Sequence, residues 1–314
     1  MKKICITGAN GFIGNAICQT FINTNIKVRA FIRNHKEKIK ANNIEYIKID
    51  RDFTKVKWED FLNGYDCVIH CAGSVPSFKK NKSFETYKAI NIEGTTSIAE
   101  QSAKANVKRF IFLSSINVLG SNTNNKRPFF YDDNPKPITD YGKSKLEAEI
   151  KLKTISKNTG LEIVIIRPPI VYGPEASGNL KRLSNLVKSG IPLPFSKIEN
   201  KRSLIGISNL VEVIKSCIEN PNASGKVFLV SDGEDLSTPQ LINYIAKSMG
   251  INPKLFPLPN GLLKLLSKII NKKEEMDRLL GSLQVDITYT SKVLNWTPSV
   301  SVSQEIKKMI QNDN

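Results

Sequence analysis

A short apolar stretch, residues 3–7, runs straight into Gly8-Ala9-Asn10-Gly11-Phe12-Ile13-Gly14, and a helical pattern over residues 15–21 follows at once. A glycine triplet alone says little. Placed between a strand and an amphipathic helix, it describes a turn that binds the pyrophosphate of a dinucleotide. Gly8 permits the tight turn, Gly11 lets backbone amides reach the phosphates, and Gly14 lets helix and strand pack closely. A chain that begins this way is committed to a parallel α/β sheet with its ligand at the carboxyl ends of the strands.

The rest of the N-terminal half keeps that promise. Strand patterns recur at residues 27–32, 44–49, 67–73, 109–115 and 163–167, separated by helical stretches. Six strands alternating with helices imply a Rossmann-type, doubly wound parallel sheet. Past Pro174 the pattern loosens, with a further strand near 227–231 and helices near 208–219, 237–249, 261–270 and 290–296. The expected division is a dinucleotide-binding domain of residues 1–173 plus about 205–231, and a smaller C-terminal substrate-binding subdomain of 174–204 and 232–314.

Several residues fall at strand ends, where a cofactor would lie. After the second strand comes Arg33-Asn34, where an NAD site usually places an acid. An arginine there favours the 2′-phosphate of NADP. Asp50 or Asp52, past the third strand, can bond an adenine amine. Cys71, Ala72 and Gly73 end the fourth strand with small side chains, and His70 before them reads as a packed strand-end residue. Ser114-Ser115 ends the fifth strand, and Pro168 follows the sixth.

Tyr141-Gly142-Lys143-Ser144-Lys145 opens a helical segment, so Tyr141 and Lys145 lie one turn apart on one face. A free tyrosine ionises near pH ~10 and a free lysine near ~10.4. An adjacent ammonium is expected to lower the phenol's pKa and make it a proton-exchanging group near neutral pH. Ser115 at a strand end and Tyr141 on the next helix can both face a sugar hydroxyl over a nicotinamide, with Lys145 holding the ribose.

Composition sets limits rather than answers. Forty-six Lys and Arg against 29 Asp and Glu give a net charge of +17, which suits anionic partners. The lysines are scattered without a basic arm, which argues against nucleic acid. No apolar run reaches the roughly 18 residues of a membrane span. Five cysteines without metal-type spacing read as reduced packing residues of a cytoplasmic protein, and two histidines argue against a histidine-rich metal site.

Taken in order, the glycine turn, His70-Cys71-Ala72-Gly73, Asn91-Ile92-Glu93-Gly94-Thr95, Ser114-Ser115-Ile116-Asn117-Val118-Leu119-Gly120, Tyr141 to Lys145 and Arg167-Pro168-Pro169-Ile170-Val171-Tyr172-Gly173 resemble the extended short-chain dehydrogenase/reductases, the nucleotide-sugar epimerase/dehydratase family. The resemblance spans essentially the whole chain. It implies Ser115, Tyr141 and Lys145 as the catalytic trio and an NAD(P)(H) cofactor, with Arg33 tilting towards NADP(H). It implies Asn91 near the cofactor and Asn117 near the substrate. Arg202 matches the family's diphosphate-gripping arginine, Asn179 an asparagine near the same phosphates, and Arg278 a second phosphate-binding arginine. A homodimer through the helices around 85–105 and 142–157 is implied as well.

Two departures stand out. Leu119 replaces the usual tyrosine of the serine motif, and the acid after the second strand is missing. The C-terminal half resembles a bacterial branch serving lipopolysaccharide sugar synthesis. Members of that branch reduce a UDP-linked 4-keto-6-deoxy-N-acetylhexosamine to UDP-N-acetylquinovosamine, or are UDP-sugar 4-epimerases. The trio serves both reactions, and Arg33 tips the expectation towards the reductase. No acid pair follows Ser114-Ser115, so a 4,6-dehydratase is not expected. A non-catalytic NAD(P)-binding regulator on the same fold is the third reading, and such proteins usually lose the tyrosine or lysine that this chain keeps.

Overall fold

The computed structural model describes residues 2–33, 41–50, 52–76, 83–176, 178–269 and 273–312. Its elements are β1 (Lys3–Thr7), α1 (Phe12–Thr20), β2 (Lys27–Ile32), β3 (Ile44–Lys48), α2 (Trp58–Leu62), β4 (Cys67–His70), α3 (Phe84–Tyr87), α4 (Gly94–Lys104), β5 (Arg109–Leu113), α5 (Asp140–Thr159), β6 (Glu162–Arg167) and β7 (Ile170–Tyr172). They continue with α6 (Asn179–Lys188), β8 (Arg202–Gly206), α7 (Ile207–Glu219), β9 (Val227–Leu229), β10 (Asp235–Leu236), α8 (Thr238–Met249), α9 (Asn260–Ile269), α10 (Lys273–Leu280), α11 (Thr288–Leu294) and α12 (Val302–Gln311). Of the residues singled out in the sequence, Asn34, His35 and Ile270 lie outside the described set.

Seven strands form one sheet in the order β3-β2-β1-β4-β5-β6-β9, every neighbouring pair parallel. Alternation along β1 shows how both faces are covered. Ile4 and Ile6 join an apolar core with α1, α7 and α11, while Cys5 points into a second core with α2, α4 and α5. Strand order reverses between β1 and β4, and ligands of doubly wound sheets bind at that switch point.

A second sheet of three strands, β10-β8-β7, was not visible in the sequence. Its strands are two to five residues long, too short for a periodic signal. Around it Tyr172, Leu183, Leu236, Ile242 and Ile306 close a third apolar core. A fourth, small cluster joins Ile116 and Leu119 to Leu229, Leu283 and Val285. The unusual Leu119 thus fills an apolar contact, and it ties the serine turn to the C-terminal segment.

Candidate active site

The glycine turn is built by close backbone approach. Gly8, at φ +69°, lies so near β4 that a Cβ would stand 2.8 Å from the Ala72 nitrogen. A Cβ on Gly14 would stand 2.3 Å from the Gly8 oxygen. Side chains there would collide with this backbone, so the glycines let strand, turn and helix close into a cradle that suits a dinucleotide pyrophosphate. Helix α1 begins at Phe12, and a helix's first N–H groups have no intrahelical acceptor, so the amides of Phe12 and Ile13 are available to an anion. The Phe12 side chain itself packs against the core shared with α7.

Beside this turn lies a crevice of about 370 Å³ lined by Gly8, Asn10, Gly11, Arg33, Cys71, Ala72 and Gly73, with Ile49 and Phe53 on its far wall. Arg33 is exposed at its edge. Asp50 is exposed past β3, where its carboxylate accepts the Asp52 amide at 2.9 Å, and the wall next to it is apolar. His70 is fully buried between Thr7 (2.8 Å) and Thr95 (3.0 Å). Burial holds it neutral, with its pKa pushed down to about 3.

Asn91 sits in a π-helical turn, Lys88–Glu93, between α3 and α4, a distortion frequent at functional sites. The turn aims its buried amide back at the sheet. Its Oδ1 accepts the Ser74 N–H at 2.7 Å, and its Nδ2 donates to the Ser74 carbonyl and the Ser144 hydroxyl, each at 3.0 Å. Asn91 therefore fixes the strand end at Gly73 against the start of α5.

Ser115, Tyr141 and Lys145 converge at the carboxyl ends of β4 and β5. The Ser115 hydroxyl accepts the Asn117 N–H at 3.2 Å, and its nearness to the Tyr141 phenol favours the phenolate. Burial outweighs that bond and pushes Tyr141 up to about 12. The lowering expected from the ammonium does not appear. Lys145 Nζ instead donates to the Leu113 carbonyl at 2.8 Å and stands 4.5 Å from the centre of the Phe112 ring. Burial pushes it down to about 8, against the opposing pull of the Glu149 carboxylate. Two buried groups each resist charging here, so neither helps the other ionise. Pro168 contributes its carbonyl, which accepts the Ile116 N–H at 3.0 Å and anchors the serine turn to β6.

Three positioning features escaped the sequence reading. Arg167 forks onto Glu149 at 3.0 and 2.6 Å, and Ser114 donates to the same carboxylate. Glu149 follows Lys145 by four residues, so helical spacing was the available signal. Gly142 lets α5 approach the serine turn, since a Cβ there would stand 2.6 Å from the Asn117 carbonyl oxygen. Thr139 caps α5, accepting the Gly142 N–H at 3.1 Å.

The C-terminal residues form a second cluster. The Arg202 guanidinium donates to the Arg278 carbonyl at 2.8 Å and the Gly281 carbonyl at 3.0 Å. Burial and the neighbouring Arg278 charge lower its pKa to about 10. Two adjacent guanidinium groups suit a polyanion. Asn179 begins α6 and is half-buried. Among the described residues no group of His, Cys, Asp and Glu could hold a metal ion, and no helix is long and apolar enough to cross a membrane.

A profile of the NAD dependent epimerase/dehydratase family matches residues 4–231. The chain belongs to this family. It is 39% identical to a UDP-glucose 4-epimerase of Vibrio cholerae, across 99% of this chain and 95% of that one. It is 30% identical to an N-acetyl-alpha-D-glucosaminyl-diphospho-ditrans,octacis-undecaprenol 4-epimerase of Escherichia coli O157:H7, across 86% of this chain and 82% of that one. In fold it matches a UDP-glucose 4-epimerase of Thermotoga maritima solved with UDP-glucose, with a TM-score of 0.81 at 21% identity over 99% and 98% of the two chains. A Bacillus cereus UDP-glucuronic acid 4-epimerase solved with NAD gives 0.80 at 23% identity, over 99% and 96%. The chain is thus an enzyme of the NAD dependent epimerase/dehydratase family.

Proposed function

We propose that this protein inverts carbon 4 of a UDP-hexose or UDP-N-acetylhexosamine and keeps its NAD bound between turnovers. The observation that carries the reading is the convergence of Ser115, Tyr141 and Lys145 beside the glycine cradle. Similarity over nearly the full length to a UDP-glucose 4-epimerase favours inversion over net reduction.

In this reading Gly8, Asn10, Gly11 and Gly14, with the amides of Phe12 and Ile13, hold the pyrophosphate. Cys71, Ala72 and Gly73 line the path of the cofactor, and Asp50 and Arg33 stand at its adenosine end. A bound nicotinamide would supply hydride transfer from and back to carbon 4, and inversion would follow because the 4-keto sugar turns between the two transfers and receives the hydride on its opposite face. Tyr141 takes the proton of the 4-hydroxyl and later returns it to the same oxygen, so no proton is gained or lost overall. Ser115 and Asn117 hold that oxygen in place. Lys145, beside Gly73 and Leu113, would hold the nicotinamide ribose and offset charge on the phenolate. Arg202, Arg278 and Asn179 grip the diphosphate. Residues 1–173 with 205–231 then serve the cofactor, and 174–204 with 232–314 serve the sugar nucleotide. The enzyme is read as cytoplasmic and homodimeric through the helices around 85–105 and 142–157, where Ile150, 55% exposed, offers an apolar side chain.

A second reading, reduction of a UDP-4-keto-6-deoxy-N-acetylhexosamine to UDP-N-acetylquinovosamine, is favoured by Arg33, whose charge suits the extra phosphate of NADPH. Either reaction would serve bacterial surface polysaccharide synthesis, a role supported by similarity to the undecaprenol-linked 4-epimerase. The deciding experiment incubates purified protein with UDP-glucose, UDP-galactose and their N-acetylamino counterparts, with no added cofactor. Interconversion of 4-epimers is expected. No interconversion, together with loss of NADPH absorbance on the 4-keto sugar, would replace the epimerase reading by the reductase. Tyr141→Phe is expected to lower turnover roughly 10²–10⁴-fold while cofactor binding persists.

A further inference from the structure

Eight large apolar side chains are exposed among the described residues, and five of them gather in two stretches: Ile191, and Ile251, Phe256, Leu262 and Leu265. The stretches lie side by side. Leu193 and Leu255 pair in a parallel bridge, and the Phe256 N–H donates to the Leu193 carbonyl at 3.0 Å. Helix α9 follows directly. Its Leu263 is 2% exposed and packs into the third core, whereas Leu262 and Leu265, at 43% and 55%, share the opposite face. One side of α9 is thus an anchor and the other a free apolar ridge.

The charge around this ridge is mainly positive. Residues 188–199 and 250–275 contain seven lysines and three glutamates, in a chain where 29 acids accompany 46 bases. Lys197, Lys254 and Lys268 are exposed. A second copy laid face to face on this surface would set lysine against lysine, which opposes self-association. An apolar ridge bordered mainly by cations instead complements an interface that is apolar beneath and anionic above. We propose that this face docks the protein on an anionic phospholipid bilayer, with Phe256, Leu262 and Leu265 entering the headgroup boundary. The ten-residue α9 lies along the surface, being about half the length a membrane span requires.

The test is vesicle flotation of the full chain, on phosphatidylcholine alone and on phosphatidylcholine mixed with phosphatidylglycerol. Binding is expected only to the mixed vesicles and should weaken as salt is raised. The double variant Leu262→Ser/Leu265→Ser should lose binding on the order of 10-fold, and Lys254→Glu/Lys268→Glu should lose it as well. Both pairs are exposed, so unchanged thermal melting is expected and is checked alongside. Three results would overturn the proposal: no flotation at low salt, flotation indifferent to the leucine changes, or a drop in oligomeric state of the leucine variant. The outcome is independent of any assay of sugar turnover.

Discussion

Arg167 and Glu149 form a forked ion pair at 3.0 and 2.6 Å, with side chains 3% and 1% exposed, one turn behind Lys145. The pair locks α5 to β6, and Ser114 completes the carboxylate's bonding next to Ser115. Taking two charges out of water is costly, so the pair as a whole adds little net stability. Breaking it is another matter, because the survivor is buried and uncompensated. Glu149→Ala is expected to destabilise by about 3–5 kcal/mol, whereas Glu149→Leu with Arg167→Met is expected to recover most of that loss. Urea unfolding of the two variants checks the contrast. Equal destabilisation by both would show that packing, rather than charge compensation, governs the site.

Gly142 predicts a reversal of the ordinary helix rule. In an exposed helix, Gly→Ala gains roughly 1 kcal/mol. Here the new methyl would meet the Asn117 carbonyl oxygen at 2.6 Å and the Pro137 Cβ at 3.1 Å. Backbone cannot swing aside as a flexible side chain can, so overpacking of about 1–3 kcal/mol is expected to win. The helix would shift away from the serine turn and lengthen the Ser115–Tyr141 bond. A misplacement near 1 Å costs on the order of 10²-fold in rate. Gly142→Ala should therefore lower kcat while the affinity for NAD, bound across the switch point, stays near that of the parent. An unchanged kcat would remove Gly142 from the positioning machinery.

The limits of the sequence can be stated residue by residue. The long parallel strands and the glycine turn were legible because buried β-runs and a strand–glycine–helix order have few other solutions. The three-stranded sheet was hidden because β7, β8 and β10 are held by pairings across more than thirty residues, such as Ser203 with Asp235. Ser115, Tyr141 and Lys145 were named from their strand-end and helix positions together with the family resemblance, but their electrostatics could not be read that way. Whether Lys145 lowers the Tyr141 pKa depends on where its Nζ points, and Leu113 supplies a carbonyl that draws it away. Glu149, Arg167 and Gly142 act through distances that no linear pattern records.

His70 is the acid-sensitive element. Its folded pKa is pushed down to about 3 from 6.5 by burial, so between those values the unfolded chain binds the extra proton. Stability from a neutral buried histidine is thus complete above pH ~6.5 and falls as pH drops, by about 1.4 kcal/mol per unit. Thermal melts at pH 7 and pH 5, above the range of most carboxylates, isolate the effect. His70→Gln can still bridge Thr7 and Thr95 by hydrogen bonds, and its melting temperature should depend less on pH over that interval. An equal dependence would assign the acid response to other groups.

Lys145 gives the same sign at the alkaline end. Its folded pKa is pushed down to about 8 from 10.5, so above pH 8 the unfolded chain holds a proton that the folded chain has released. Stability therefore rises with pH through this window, by about 1.4 kcal/mol per unit for this group. At pH 7 the folded protein carries a buried ammonium with one carbonyl, one ring face and the more distant Glu149 carboxylate to compensate it. Lys145→Met removes that burden, so its stability relative to the parent should be greatest near pH 7 and shrink as pH rises towards 9.5. The comparison cancels the buried cysteine thiols, which titrate in the same range in both proteins. Urea midpoints measured at pH 7, 8 and 9 are enough to see the trend. A stability difference independent of pH would mean that Lys145 keeps an ordinary pKa, and that its charge is already compensated before any cofactor arrives.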